Sequence, residues 1–331
     1  MKLSILDQAP ISSNQTPKEA LEASLKLAQA GESLGYSRYW IAEHHDLPGL
    51  ACSAPEVLLG YIGANTKKIR IGPGAVLLPH YKPYKVAEIY NTLATLFPGR
   101  VDIGIGRAPG GSAAAANALS EHFLQNVWNM PDLVKDLLAF LEGGVQTDNQ
   151  YETLSASPIP EIAPAPWLLG TSQKSALLAA EFGLPYTFGH FMTDQDGQAI
   201  ILQYMKRFRP RKQNSKPRVM ITVSAVCAET AEKAEDIASS WLVWSLQREK
   251  GSMHHVPSIP DAKKYKPDSK EKAALEKMKK KMMIGNPDEI KHKLETLQAM
   301  YKAEEIMILT ITHSPGDRIH SYRLIAEKML K

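Results

Sequence analysis

Short apolar runs alternate with amphipathic stretches almost from one end of the chain to the other. Residues 3–6 open the series. Thr16 and Pro17 then mark a helix start, Ala20, Leu21, Leu25, Leu27, Ala28 and Leu34 form its apolar face, and Gly35 stops it. The same reading predicts further strands over residues 39–42, 69–78, 101–105, 167–169, 185–188, 218–226 and 305–309. Between them come helices opening at Ser53-Ala54-Pro55-Glu56, over 83–97, at 133–141, over 172–182, from about 194 to 208, after Glu229, and over 287–300 and 317–330.

Eight strands in strict alternation with helices imply a parallel sheet covered by helices. Eight such units in one continuous chain predict a (β/α)8 TIM barrel, a single domain over 1–331. At 331 residues the chain exceeds the usual ~250 of that fold, so it carries insertions. The main one, 247–283, is long and polar. It holds His254 and His255, read as solvated, and is expected to be a lid. Residues 109–118, rich in glycine and alanine, read as a loop.

Composition narrows the functional classes. The formal charge is +4, with both signs scattered, which is not the clustered footprint of a nucleic-acid binder. The densest basic run, Lys277-Met278-Lys279-Lys280-Lys281, follows Glu271 and Glu276 at helical spacing and reads as a solvated helix face. Cys52 and Cys227 lack metal or redox spacing, the N-terminus shows no signal-peptide core, and no stretch reaches membrane-spanning length. A cytoplasmic protein with no membrane or nucleic-acid partner is expected.

The candidate chemistry collects at strand ends, which in such a barrel converge on one face. Trp40-Ile41-Ala42 runs directly into Glu43-His44-His45, three proton-handling groups where an apolar strand stops. Gly72-Pro73-Gly74-Ala75 offers small residues that would let a flat ring approach the backbone, or else a simple bulge. Gly104-Ile105-Gly106-Arg107 lacks the third glycine of a dinucleotide fingerprint. Gly170-Thr171-Ser172-Gln173-Lys174-Ser175 puts hydroxyls at a helix start, which suits a phosphate but also suits plain N-capping. Arg107 favours the phosphate, while a salt bridge to Glu43 or Asp102 is as good an account of it. Gly189-His190 follows the sixth strand. Adjacent His44 and His45 diverge and have no companion ligands, so no metal is expected. His80 and Tyr81 read as loop residues.

These residues together resemble the bacterial luciferase-like flavin monooxygenases over nearly the whole length. The likeness is carried by Leu6-Asp7-Gln8, Gly35-Tyr36, Tyr39 through His45, Ile69-Arg70-Ile71-Gly72, Leu78-Pro79-His80-Tyr81, Phe97-Pro98-Gly99-Arg100-Val101-Asp102 and Gly104-Ile105-Gly106-Arg107. It implies FMN as cofactor, used in reduced form with O2 on a small organic substrate, and a separate flavin reductase as the source of reduced flavin. It implies that His44 is the catalytic group. Arg107, Ser172 and Ser175 would bind the flavin phosphate, and Gly74-Ala75 would lie against the ring, in several relatives through a non-proline cis peptide. Gly189 and His190 would contact the ring edge. Glu43, Gly170 and Thr171 are counted with the cofactor site, Glu43 standing between flavin contact and histidine orientation. His45 with Glu88 falls where relatives make a subunit contact, implying a homodimer. A deazaflavin- or FMN-dependent dehydrogenase and a non-catalytic flavin-binding protein remain as alternatives on the same fold.

Overall fold

The structure, a computed structural model, describes residues 1–142, 154–251 and 255–330. The first half runs β1 (Lys2–Asp7), α1 (Pro17–Leu34), β2 (Arg38–Ile41), α2 (Pro55–Ala64), β3 (Arg70–Pro73), β4 (Val76–Leu77), α3 (Pro83–Leu96), β5 (Asp102–Gly106), α4 (Ala113–Leu119), α5 (Phe123–Trp128) and α6 (Met130–Leu141). The second half adds β6 (Ala165–Gly170), α7 (Gln173–Glu181), β7 (Tyr186–Gly189), α8 (Gly197–Arg207), β8 (Val219–Cys227), α9 (Ala231–Glu249), α10 (Ile259–Lys264), α11 (Ser269–Lys281), β9 (Met283–Gly285), α12 (Pro287–Tyr301), β10 (Glu305–Leu309) and α13 (Pro315–Met329).

Every strand pairing is parallel, in the order β3-β2-β1-β10-β8-β7-β6-β5-β4, and a bridge between Ile71 and Val101 joins the two ends. The result is a nearly closed barrel with helices outside. Its helices begin where side chains can cap them. In α1, Thr16 Oγ1 accepts from the Glu19 amide while the Glu19 carboxylate accepts from the Thr16 amide.

Alternate residues point inward and fill the barrel in layers. At the amino ends of the strands the filling is ionic. Arg38 donates to Asp102 at 2.6 Å and to Glu305 at 2.7 and 3.0 Å, and Arg70 donates to the other Asp102 oxygen at 2.6 and 2.9 Å. Two cations face two anions, so the layer is neutral. Above it, Trp40 and Trp167 meet edge to face at 5.9 Å, and Trp40 Nε1 donates to Asp102 at 3.0 Å. These indoles leave little room beside them: a Cβ on Gly72 would lie 3.0 Å from Trp40 Nε1.

Four local readings change. The expected strand 69–78 is two pieces, because the cis Gly74–Ala75 peptide turns the chain between β3, which pairs with β2, and β4, which pairs with β5. The expected loop 109–118 contains the start of α4, where Ser112 Oγ accepts from the Ala115 amide and an alanine run propagates the turn. β9, too short to read as a strand, continues the sheet on the protruding end of β8. Within 247–283 the chain folds as the end of α9 and then α10 and α11, capped by Ser258 and Asp268. His255 is half-buried rather than freely solvated, while His254 lies outside the described residues. Among the described residues no helix is long and apolar enough to cross a membrane.

Candidate active site

The carboxyl ends of the strands open into a cavity of about 340 Å³. Glu43, His44, Gly74, Ala75, Arg107, Gly170, Thr171, Ser172, Ser175 and Gly189 all line it. His190 does not: its ring packs edge-on against Tyr301 at 5.8 Å, and Phe191 and Met192 take the wall position.

Glu43 is buried with its carboxylate fully committed. One oxygen accepts from the Leu77 amide at 3.1 Å, and the other takes the Tyr81 hydroxyl at 2.5 Å and His45 Nε2 at 2.8 Å. It therefore fixes β4 and turns His45 inward. Glu88 sits on α3 beside Lys85 at 3.4 Å. His80 Nε2 bonds the Pro109 carbonyl at 2.9 Å and its ring stacks on Phe123 at 4.5 Å, which makes it a support for the loop after β5.

His44 is held by its backbone, whose amide donates to the Cys52 carbonyl at 3.0 Å. Its ring is half-buried, with Nδ1 buried and unpartnered. Burial, then the positive Arg248 and the neighbouring His45, lower its pKa to about 4. At neutral pH it is an uncharged imidazole, able to donate from one nitrogen and accept at the other.

Across the cavity, Arg107 has no hydrogen bond or ion pair among the described residues. Asp102 is saturated by Arg38, Arg70 and Trp40, and Glu43 by the contacts above. That disposes of the salt-bridge account of Arg107. The start of α7 faces the same space. Ser172 caps it, accepting from the Ser175 amide at 3.4 Å, while Ser175 Oγ donates to the Ser172 carbonyl at 2.7 Å and lies 3.0 Å from the Tyr186 hydroxyl. Gly170 makes this turn possible, since a Cβ there would fall 2.2 Å from Ser175 Oγ. An unpaired guanidinium, a helix N-terminus and the hydroxyls of Thr171 and Ser172 form a cradle for a multiply charged anion. Ser175 is spent on the turn itself.

Gln8, Thr187, Thr222, Phe191 and Met192, none of them a site candidate from sequence, also line the cavity. Thr187 Oγ1 is buried without a partner. The two threonines were legible as polar members of an inward period-two series, Thr187 with Gly189 on β7, and Thr222 alternating with Ile221 and Val223 on β8. Among the described residues no group of three or more His, Cys, Asp or Glu side chains is placed to hold a metal ion.

Comparison with known proteins places this geometry. The chain is 32% identical over 332 residues to the N-acetyl-S-alkylcysteine monooxygenase of Bacillus subtilis, covering 100% of this chain and 98% of the relative. The crystal structure of apo-MsnO8 is 33% identical and superposes with a TM-score of 0.88, covering 99% and 98% of the two chains. The oxygenating constituent of 3,6-diketocamphane monooxygenase from Pseudomonas putida, solved in complex with FMN, shares the fold at 19% identity and a TM-score of 0.72, with 99% and 97% coverage. The family model for luciferase-like monooxygenases matches residues 1–303, so a barrel with this strand-end constellation is an oxidoreductase, and the chain belongs to the luciferase-like monooxygenase family.

Proposed function

We propose that the protein is a flavin-dependent monooxygenase that takes reduced FMN and O2 and oxygenates a small organic substrate. The observation that carries this is the unpaired Arg107 guanidinium beside the hydroxyl-bearing N-terminus of α7, in the same cavity as an uncharged His44. The donor set fits FMN. Arg107, Thr171, Ser172 and the first amides of α7 would hold its phosphate, while Gly74, Ala75, Gly170 and Gly189 leave room for a flat ring against backbone. The buried, unpartnered Thr187 Oγ1 and His44 Nδ1 would find partners on its polar edge. When bound, reduced FMN supplies two electrons, so that one oxygen atom of O2 enters the substrate and the other leaves as water.

His44 holds or moves a proton at its ring nitrogens, and its low basicity keeps it uncharged at neutral pH, which leaves Arg107 as the positive group for the anionic cofactor. Glu43 acts as a positioning residue through Leu77, Tyr81 and His45, and Ser175 through the α7 turn. His190 lies behind the wall and orders the chain next to Phe191. The described part of the insertion 247–283, with α10 and α11, serves as a lid to a single-domain barrel. A cytoplasmic homodimer served by a separate flavin reductase completes the reading.

Titrating the apoprotein with oxidised and photoreduced FMN, alongside the deazaflavin cofactor, tests it. Preferential binding of reduced FMN, with O2 consumption once an acceptor substrate is present, is the expected result. No affinity for FMN in either redox state, or a marked preference for the deazaflavin, refutes it.

A further inference from the structure

The flavin cavity does not end at Met192. A second cavity of about 310 Å³ adjoins it, with Gln8, Phe191 and Met192 common to both, and α9 and α11 roof it. Its walls are mixed: Trp241, Trp244, Met278 and Met282 join Phe191 and Met192 as the aromatic and thioether part, and Gln8, Ser224 and Ser245 add neutral polar groups. Three charged side chains reach it, Arg248, Glu249 and Lys281. Lys281 is already matched by Asp194 at 2.5 Å. Arg248 makes no ion pair among the described residues, and its guanidinium lies 4.6 Å from the centre of the Trp244 ring. Glu249, its neighbour in sequence, does not pair with it.

We propose that this second cavity seats the substrate, and that the substrate is an amphipathic organic acid whose carboxylate pairs with Arg248 while its apolar body lies along Trp241, Trp244 and the methionines. The inference rests on the flavin reading of the first cavity, which puts the reacting atoms beside His44. A guanidinium held against an indole presents its fork of donors outward, and a carboxylate matches that fork with two parallel hydrogen bonds. Gln8, Phe191 and Met192 line both cavities, so the space beside Arg248 adjoins the space beside His44. An acid anchored at Arg248 therefore extends its other end toward the flavin cavity. A simpler role for Arg248 exists, since it sits in the last turn of α9, where a cation complements the helix dipole. That role predicts no discrimination between ligands.

The discriminating experiment compares octanoate with octanamide, equal in length and different in charge, by tryptophan fluorescence, because Trp241 and Trp244 wall the cavity. Wild-type protein is expected to bind the acid about tenfold more tightly than the amide. Arg248→Gln should bring the two together, Arg248→Lys should keep part of the preference, and Glu249→Gln should increase it by removing a like charge. Equal affinities in the wild type, no measurable binding of either, or a preference that survives Arg248→Gln overturns the proposal. FMN binding, read separately by flavin fluorescence, should be untouched by Arg248→Gln. FMN binding without acid preference removes this inference alone, whereas acid preference without FMN binding leaves the anion site standing and removes the flavin reading.

Discussion

His44 makes the protein sensitive to acid in a way that can be isolated. An imidazole titrating at 6.5 in the unfolded chain and at about 4 in the folded one binds fewer protons when folded throughout that interval. Stability therefore falls as pH drops from 6.5 toward 4, and the loss is complete below the folded value. For this single group the loss is about 2 kcal/mol at pH 5 and about 3 kcal/mol at pH 4, with each unit of displacement contributing about 1.4 kcal/mol. His44→Gln keeps a polar side chain but removes the titration. Urea unfolding of wild type and variant at several pH values between 4.5 and 7 gives the test, because every other titrating group is common to both. The gap between the two stability curves should open in favour of the variant as pH falls. In Arg248→Gln the pKa of His44 should rise part of the way back, since burial is the larger cause and remains. Parallel curves for wild type and His44→Gln would refute the claim that burial keeps this imidazole neutral, and with it the uncharged role assigned to it.

Two further outcomes bear on the site and the fold. Arg107→Gln should weaken FMN binding on the order of 10- to 100-fold while leaving riboflavin, which has no phosphate, nearly unchanged, so flavin titrations of both ligands check the anion role. Asp102→Asn leaves buried Arg38 and half-buried Arg70 with half their counter-charge and should cost about 3–5 kcal/mol in chemical denaturation, with little direct effect on the cavity at the opposite end of the strands.

The barrel was legible because its signals are local and repeated. Strands of buried Val, Ile and Leu, helix starts such as Thr16-Pro17-Lys18-Glu19 and a stop at Gly35 need only a few neighbouring residues to be read. The broken third strand was not, since only the pairing of β3 with β2 and of β4 with β5 reveals that one apolar run serves two partners. Residues 247–283 hid their helices behind a polar surface, although Asp268 and Glu271 form a capping box that spacing alone could have suggested. In the site, Arg107 had two equal accounts until the partners of Asp102 and Glu43 were visible. His190 shows the opposite failure: it stands next to a wall residue in sequence, yet Phe191 and Met192 face the cavity and it does not. Arg248 gave no sequence signal at all, because a cation in a final helical turn is ordinary until a cavity is found beside it.

The ionic layer at the amino ends of the strands has a consequence for traffic. Arg38, Asp102 and Glu305 are almost wholly buried, with exposures of 4%, 0% and 1%, and the two indoles lie above them. The barrel is thus a cup and not a pipe. In the proposed reaction, cofactor, substrate, product and the water formed would come and go at the carboxyl ends of the strands, where Phe191 and Met192 line the cavity. Whatever occupies that end sets the order in which the others come and go, so the sequence of arrivals is written into the shape of the vessel as much as into the affinities of its walls.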